Sequence, residues 1–175
     1  SSCATYGIPD VLPIREGEMQ NPINPYGRTK LIAEHMLADY SAAYGMPYAA
    51  LRYFNACGAD LDGELGEKHD PETHLIPRAM LAAAGTADCL EIYGDDYDTP
   101  DGTCIRDYIH VVDLARAHVL AVEHLLNGGG NLVLNLGTGR GTSIKEIVDA
   151  IDRLTGRKVP VEMRARRAGD PPVLY

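Results

Sequence analysis

The sequence predicts an α/β fold organised on parallel strands. Short apolar runs at 48–54, 90–93 and 132–136 have the length of buried strands. Longer stretches at 25–44, 74–85, 111–126 and 144–154 carry helical spacing. Strand and helix alternate along the chain with no internal repeat, the pattern of mixed α/β domains. A helix between two such strands makes a β-α-β unit, whose crossover is right-handed.

The opening Ser1-Ser2-Cys3-Ala4-Thr5-Tyr6-Gly7 reads as the end of a strand entering a loop. Open α/β sheets place their sites at such carboxyl ends. Residues 8–23 carry prolines and read as loop. Asn24 suits the cap of the next helix with Pro25 in its first position, and Gly45 followed by Pro47 ends it. Leu31, Ile32, Met36 and Leu37 form that helix's apolar face. Tyr48 to Phe54 reads as a buried parallel strand ending in a loop at 55–59. Residues 60–71 are polar and glycine-bearing, hence loop.

A helix from His74 to Gly85 tolerates Pro77 near its first turn. Leu90–Tyr93 is a short strand, 94–103 a turn-rich loop, and 104–110 an extended segment carrying Arg106-Asp107-Tyr108. The helix at 111–126 has Leu114, Ala117, Val119, Leu120 and Val122 on its apolar side and stops at a glycine run, 128–130. Leu132–Leu136 is a buried strand. Ser143 and Glu146 form a capping box for the helix that follows, and 159–163 is a further strand.

Composition narrows the function. A hydrophobic content of 45% supports a real core, and no run of about 18 apolar residues is present to span a membrane. The net charge of −9, with no basic stripe interleaved with aromatics, argues against nucleic-acid binding. Arg157, Lys158, Arg164, Arg166 and Arg167 crowd together late in the chain, which suits either a small anionic ligand or a solvated basic face. Cys3, Cys57, Cys89 and Cys104 are too dispersed for zinc or redox spacing and read as reduced thiols of a cytoplasmic protein. The sequence opens on neither an initiator Met nor a targeting segment and is expected to start within a longer protein.

The chemistry concentrates at Asn24-Pro25-Tyr26-Gly27-Arg28-Thr29-Lys30. Residues at i and i+4 share a helix face, so the Tyr26 phenol and the Lys30 ammonium meet in one small space. A cation beside a phenol favours the phenolate, which makes Tyr26 a candidate general base for an alcohol proton. A second motif, Gly137-x-Gly139-x-Gly141, follows a strand and opens a helix, the setting of a dinucleotide-binding turn. Its spacing is wrong for that turn, and no complete βαβ unit with a ribose-binding acid follows. It is read as a tight turn, so a dinucleotide's phosphate loop is expected outside these residues.

Several strings match a known pattern together: 1–7, 24–30, Leu51-Arg52-Tyr53-Phe54-Asn55, the long run 93–111, Asn135-Leu136-Gly137-Thr138-Gly139 and Arg166-Arg167-Ala168-Gly169-Asp170. By these the chain resembles the carboxyl-terminal portion of the UDP-glucose 4-epimerase family, in the extended short-chain dehydrogenase/reductase superfamily. The resemblance implies part of a Rossmann-like doubly wound parallel sheet plus a smaller α/β substrate-binding domain. Residues 1–58 would belong to the NAD-binding domain, and 59–175 mainly to the nucleotide-sugar-binding region, with about 104–136 packing back on the first. It implies an NAD-dependent isomerase of galactose metabolism that interconverts UDP-galactose and UDP-glucose by oxidation at C4, rotation of the 4-keto sugar and re-reduction.

Carried over residue by residue, the resemblance implies Ser2, Tyr26 and Lys30 as catalytic residues. The same three with Phe54 are implied at the NAD, and Asn55, Leu75, Tyr93, Arg106, Arg167 and Asp170 around the UDP-sugar. No metal is implied. Relatives pair through helices that include the Tyr-x-x-x-Lys helix, which implies a homodimer. Thr73-His74 stands where well-known relatives carry Asn-Asn. Two alternatives stay open: an epimerase of another UDP-sugar (N-acetylhexosamine or pentose), and a nucleotide-sugar-binding fragment that is inactive alone. A 4,6-dehydratase is disfavoured because Cys3-Ala4, not Asp-Glu, follows Ser2.

Overall fold

Two parallel strands far apart in sequence make the first sheet. β1 (Ala49–Tyr53) runs beside β6 (Leu132–Leu136), in register from Ala49 opposite Leu132 to Tyr53 opposite Leu136. Ser2 adds a parallel bridge to Tyr53, so the chain's first residues are a strand end at the carboxyl edge of β1, as expected. This architecture comes from a computed structural model that describes residues 1–175.

Between that strand end and β1 lies α1 (Pro25–Tyr44). The Asn24 side chain accepts the Gly27 N–H at 2.8 Å, and Gly45 closes the helix at φ 65°. β2 (Asn55–Cys57) follows β1 directly. After α2 (Leu75–Ala83) come β3 (Leu90–Tyr93), β4 (Ile105–Arg106) and β5 (Tyr108–His110). β5 lies parallel to β2, and α3 (Val111–Leu126) packs back on β1 and β6. β7 (Thr142–Ser143) leads into α4 (Ile144–Thr155), whose capping box is present in both directions. β8 (Val161–Arg164) pairs parallel with β3, and β9 (Val173–Leu174) lies parallel to β4 on the side opposite β7.

Two cores result. Ala79 and Ala82 of α2, Leu90 and Ile92 of β3, Ile151 of α4 and Val159 pack together. The alanines let α2 approach the strand closely, and the branched residues fill the rest. A second cluster joins Cys3, Tyr6, Ile14 and Leu174, with Phe54 against it.

The long helices and the main strands match the sequence reading. The differences are short or local. The loop expected after Phe54 is β2, and the extended run 104–110 splits into two strands at Asp107. Strands of two or three residues carry no periodicity from which to read them. On α1 the buried residues are Gly27 and Glu34, while Ile32 and Met36 are 57% and 54% exposed. On α3 Leu114 is buried, but Val119, Leu120 and Val122 stay exposed. Periodicity identifies an apolar helix face without saying what covers it.

Glu34 ties α1 to the first sheet. Its carboxylate accepts Arg52 Nε at 2.9 Å and Nη2 at 2.6 Å, a bidentate pair with side chains only 5% and 8% exposed. Gln20 donates to Glu34 at 3.1 Å, and the Ser1 hydroxyl donates as well. Arg52 also donates to the Tyr6 hydroxyl at 2.7 Å and the Glu16 carbonyl at 3.1 Å. Tyr6 in turn donates to Asn135 of β6 at 2.7 Å. Burial pushes the Glu34 carboxyl up, but hydrogen bonds from Arg52, Ser1 and Gln20, with the Arg52 charge, outweigh it and hold the group below its ordinary range.

Removing one partner strands a buried charge, so Glu34→Ala is expected to destabilise the protein by about 3–5 kcal/mol in urea unfolding. Replacing Glu34 and Arg52 together by apolar residues is expected to cost clearly less than the single change. Because the folded carboxyl is depressed, its contribution is fully present above the unfolded value near pH 4.3 and is lost as pH falls through the lower folded value. Urea midpoints measured as the pH is lowered below about 4.3 should therefore fall, and less so in Glu34→Gln.

Candidate active site

The loop turn at the end of the first strand sets the site. Ser2 is extended, its Oγ accepts the Ala4 N–H at 3.2 Å, and a single 3-10 turn (Cys3–Thr5) follows. A hydroxyl that accepts this way keeps its proton to donate elsewhere. The start of α1 lies directly on this turn. A Cβ on Gly27 would stand 2.3 Å from the Ala4 carbonyl oxygen and 2.9 Å from Pro22 Cβ, so only glycine permits the approach. The contact brings Tyr26, one residue away, to the cavity that Ser2 lines.

That cavity has a volume near 860 Å³, and Ser2, Tyr26, Tyr53, Phe54, Asn55 and Arg106 are among its walls. A second, of about 410 Å³, is lined by Asn55, Leu75, Tyr93, Arg106, Arg167 and Asp170. Asn55, His74 and Arg106 border both, so the two spaces adjoin. All six residues expected around the UDP-sugar thus meet at one cavity, and three of the four expected at the NAD meet at its neighbour. Lys30 is the exception, lining neither cavity; its Nζ stands 5.3 Å from the centroid of the Tyr26 ring, one helical turn on, as the spacing required.

The site's cations are held in different ways. Arg106 Nη1 donates to the carbonyls of Ile105 at 2.9 Å and Pro172 at 3.3 Å, and Nη2 is 3.8 Å from Asp170. Arg167 lies over the Tyr93 ring at 3.7 Å, and the Tyr93 hydroxyl donates to Glu91 at 2.9 Å. The late cationic cluster does not form one anion site. Lys158 pairs with Asp152, Arg164 with Glu91 and Glu162, and Arg166 with Asp96, leaving Arg167 alone of the five in the cavity.

The glycine-bearing turn at 137–141 has an internal partner. Asp107, fully buried, accepts the Thr138 N–H at 2.7 Å, the Gly139 N–H at 2.8 Å and the Thr138 hydroxyl at 2.8 Å. Amides that cradle a phosphate in a dinucleotide fold are here committed to a carboxylate of the same chain. A Cβ on Gly137 would stand 2.7 Å from Asp107 Oδ2 and 2.8 Å from Phe54, so the glycine makes room for both. The Asp107 carbonyl also accepts the Asn55 side chain at 2.9 Å, which orients Asn55 at the junction of the cavities.

Burial pushes the Cys3 thiol up to about 12 and the Tyr108 phenol likewise up to about 12, which leaves both neutral and unreactive at neutral pH. The four cysteines are free. Residues the sequence reading left without a role, Glu34, Arg52 and Asp107, prove to position the site. The one signal for them was a charged residue inside an apolar run or on a helix's inner face, and its meaning depends on a partner far away in sequence.

Comparison with known proteins places this geometry. Residues 1–137 match the model of the NAD dependent epimerase/dehydratase family. The chain is 55% identical over 174 residues to a UDP-glucose 4-epimerase of Rhizobium meliloti, covering 99% of this chain and 53% of that protein. The crystal structure of a UDP-glucose 4-epimerase from Brucella ovis in complex with NAD superposes with a TM-score of 0.94 at 82% identity, over 100% of this chain and 54% of that one. One from Bifidobacterium longum, in complex with NAD+ and UDP, gives 0.95 at 43% identity, over 100% of this chain and 53% of that one. The α/β fold is therefore Rossmann-like, and the chain spans about half the length of the curated relatives it matches.

The tight seat of α1 is directly testable. Gly27→Ala is expected to lower stability by about 1–3 kcal/mol through overpacking against Ala4 and Pro22, measured by urea unfolding. Gly66→Ala, where an added methyl meets open space, should leave stability within about 0.5 kcal/mol.

Proposed function

The chain belongs to the NAD dependent epimerase/dehydratase family, and we propose that, within the longer protein, it interconverts UDP-galactose and UDP-glucose at C4. What carries the proposal is the meeting of Asn55, Leu75, Tyr93, Arg106, Arg167 and Asp170 around one cavity that adjoins another holding Ser2 and Tyr26. An isolated Tyr-x-x-x-Lys pair on a helix would have no such neighbour.

In this reading Tyr26 removes the sugar's O4 proton, with Lys30 keeping positive potential at its ring and Ser2 hydrogen-bonding the same oxygen. NAD, when bound, supplies the hydride acceptor that no protein side chain offers. Ser2, Tyr26, Lys30 and Phe54 are the residues here that would hold its nicotinamide end. Its phosphates need a loop other than 137–141, whose amides Asp107 takes, so residues 1–175 alone are expected to be inactive.

Turning a 4-keto sugar over requires a firm grip on the diphosphate and a loose one on the hexose. Arg106 and Arg167 supply the grip, since a guanidinium binds phosphate oxygens bidentately. The larger cavity leaves the hexose room to rotate. Leu75, Asn55 and Asp170 border the nucleotide end; Arg167 already covers one face of Tyr93, so a stacked uracil would take the other face.

Residues 1–58 serve the NAD-binding domain and 59–175 mainly the nucleotide sugar, with α3 and β6 returning to β1. A homodimer is supported by Ile32, Met36, Tyr40 and Tyr44, which recur every fourth residue as an exposed apolar stripe on α1. Free cysteines suit a reducing, cytoplasmic setting.

The full-length protein, given UDP-galactose and NAD, is expected to form UDP-glucose, followed by chromatography. Absence of conversion sinks the reading. Tyr26→Phe should lower turnover about 10²–10⁴-fold with UDP affinity unchanged, and wild-type turnover in that variant would remove Tyr26 from the base role.

A further inference from the structure

Where the two cavities adjoin, a loop with no helix or strand of its own gathers metal-ligating side chains. The ligating atoms of Glu67, His69 and His74 all lie within 4.8 Å of one another. Glu67 Oε1 is 3.0 Å from His69 Nε2 and 2.8 Å from His74 Nδ1. Glu72 Oε1 brings a second carboxylate to 2.8 Å from the same His74 nitrogen. The two imidazole rings lie 4.9 Å apart between centroids, tilted by 56°.

We propose that Glu67, His69 and His74 bind a divalent cation of the zinc class, with water completing the shell. Two imidazole nitrogens with carboxylate oxygens suit Zn²⁺, Co²⁺ or Ni²⁺, whereas Mg²⁺ and Ca²⁺ prefer all-oxygen shells. Zinc bonds of about 2.0–2.2 Å place tetrahedral donors roughly 3.3–3.5 Å apart. The observed spacings of 2.8–3.0 Å therefore open by a few tenths of an ångström on binding. Side-chain rotation in an exposed loop supplies that. Glu72 stays outside the shell, since its Oε1 already accepts the Thr73 and His74 amides at 2.7 Å each.

The position gives the ion a consequence. Glu67, His69 and His74 line the larger cavity, and His74 also lines the smaller one, next to Leu75 at the start of α2. A bound cation cross-links residues 67–74 to the head of that helix and stiffens the rim of both spaces. The binding itself depends on no step of the epimerase reaction.

Equilibrium dialysis of the untagged, metal-stripped full-length protein against ZnCl2 tests this. One Zn²⁺ per chain is expected, with affinity lowered at least about tenfold in His69→Ala and in Glu67→Gln. His35→Ala, on the exposed side of α1, should bind as wild type. Cobalt(II) loading should give visible bands of a tetrahedral ion that disappear in the double variant His69→Ala/His74→Ala, whose circular dichroism verifies folding. Absence of saturable binding, or full stoichiometry retained in the folded double variant, overturns the proposal. Zinc binding is read without turnover, so a failed epimerase assay leaves this outcome separate.

Discussion

The buried Glu34–Arg52 pair is the constraint from which the site's geometry follows. Two residues of α1 are buried, Gly27 at its first turn and Glu34 at its middle. The first sets how close the helix comes, and the second sets its rotation. Tyr26, Lys30 and Glu34 lie at successive four-residue steps, so fixing Glu34 on Arg52 fixes the face that carries the tyrosine and the lysine. A hydrophobic contact at the same place would allow sliding. A bidentate carboxylate–guanidinium pair, extended through Tyr6 to Asn135 on β6, allows one register.

Asp107 does for the opposite wall what Glu34 does for α1. It interrupts the extended segment between β4 and β5, and its carboxylate gathers the turn after β6. Its backbone carbonyl takes both the main-chain N–H of Asn55 at 3.0 Å and that residue's side chain. One buried residue thus joins the end of β1, the end of β6 and the strand carrying Arg106. An anion on this turn's amides is what the glycine pattern suggests; the anion is a side chain of the same chain rather than a nucleotide. The glycine string thus serves a contact inside the chain.

Both devices place charge in the interior, where an unpaired group is expensive, and both satisfy it fully. The cavities are bordered by side chains already braced in this way. Arg106 is held by two carbonyls, and Arg167 lies flat on Tyr93. Such bracing reduces the ordering a ligand must impose on binding.

The sequence by itself determined the elements and the residue types of the site. The caps at Asn24 and Ser143, the glycine stops and the helical periods are local, and each acts within one turn of where it is written. The Tyr26–Lys30 spacing was legible for the same reason. Only the tertiary structure decided which helix faces are covered, since Ile32 and Met36 satisfy the periodicity of a buried face while remaining exposed. It alone decided that Arg164 and Arg166 turn to separate carboxylates while Arg167 lies on Tyr93, and that Glu34 meets Arg52 and Asp107 meets Thr138. Those partners are 18 and 31 residues apart, and no local pattern encodes a pairing that the crossing of chain segments creates.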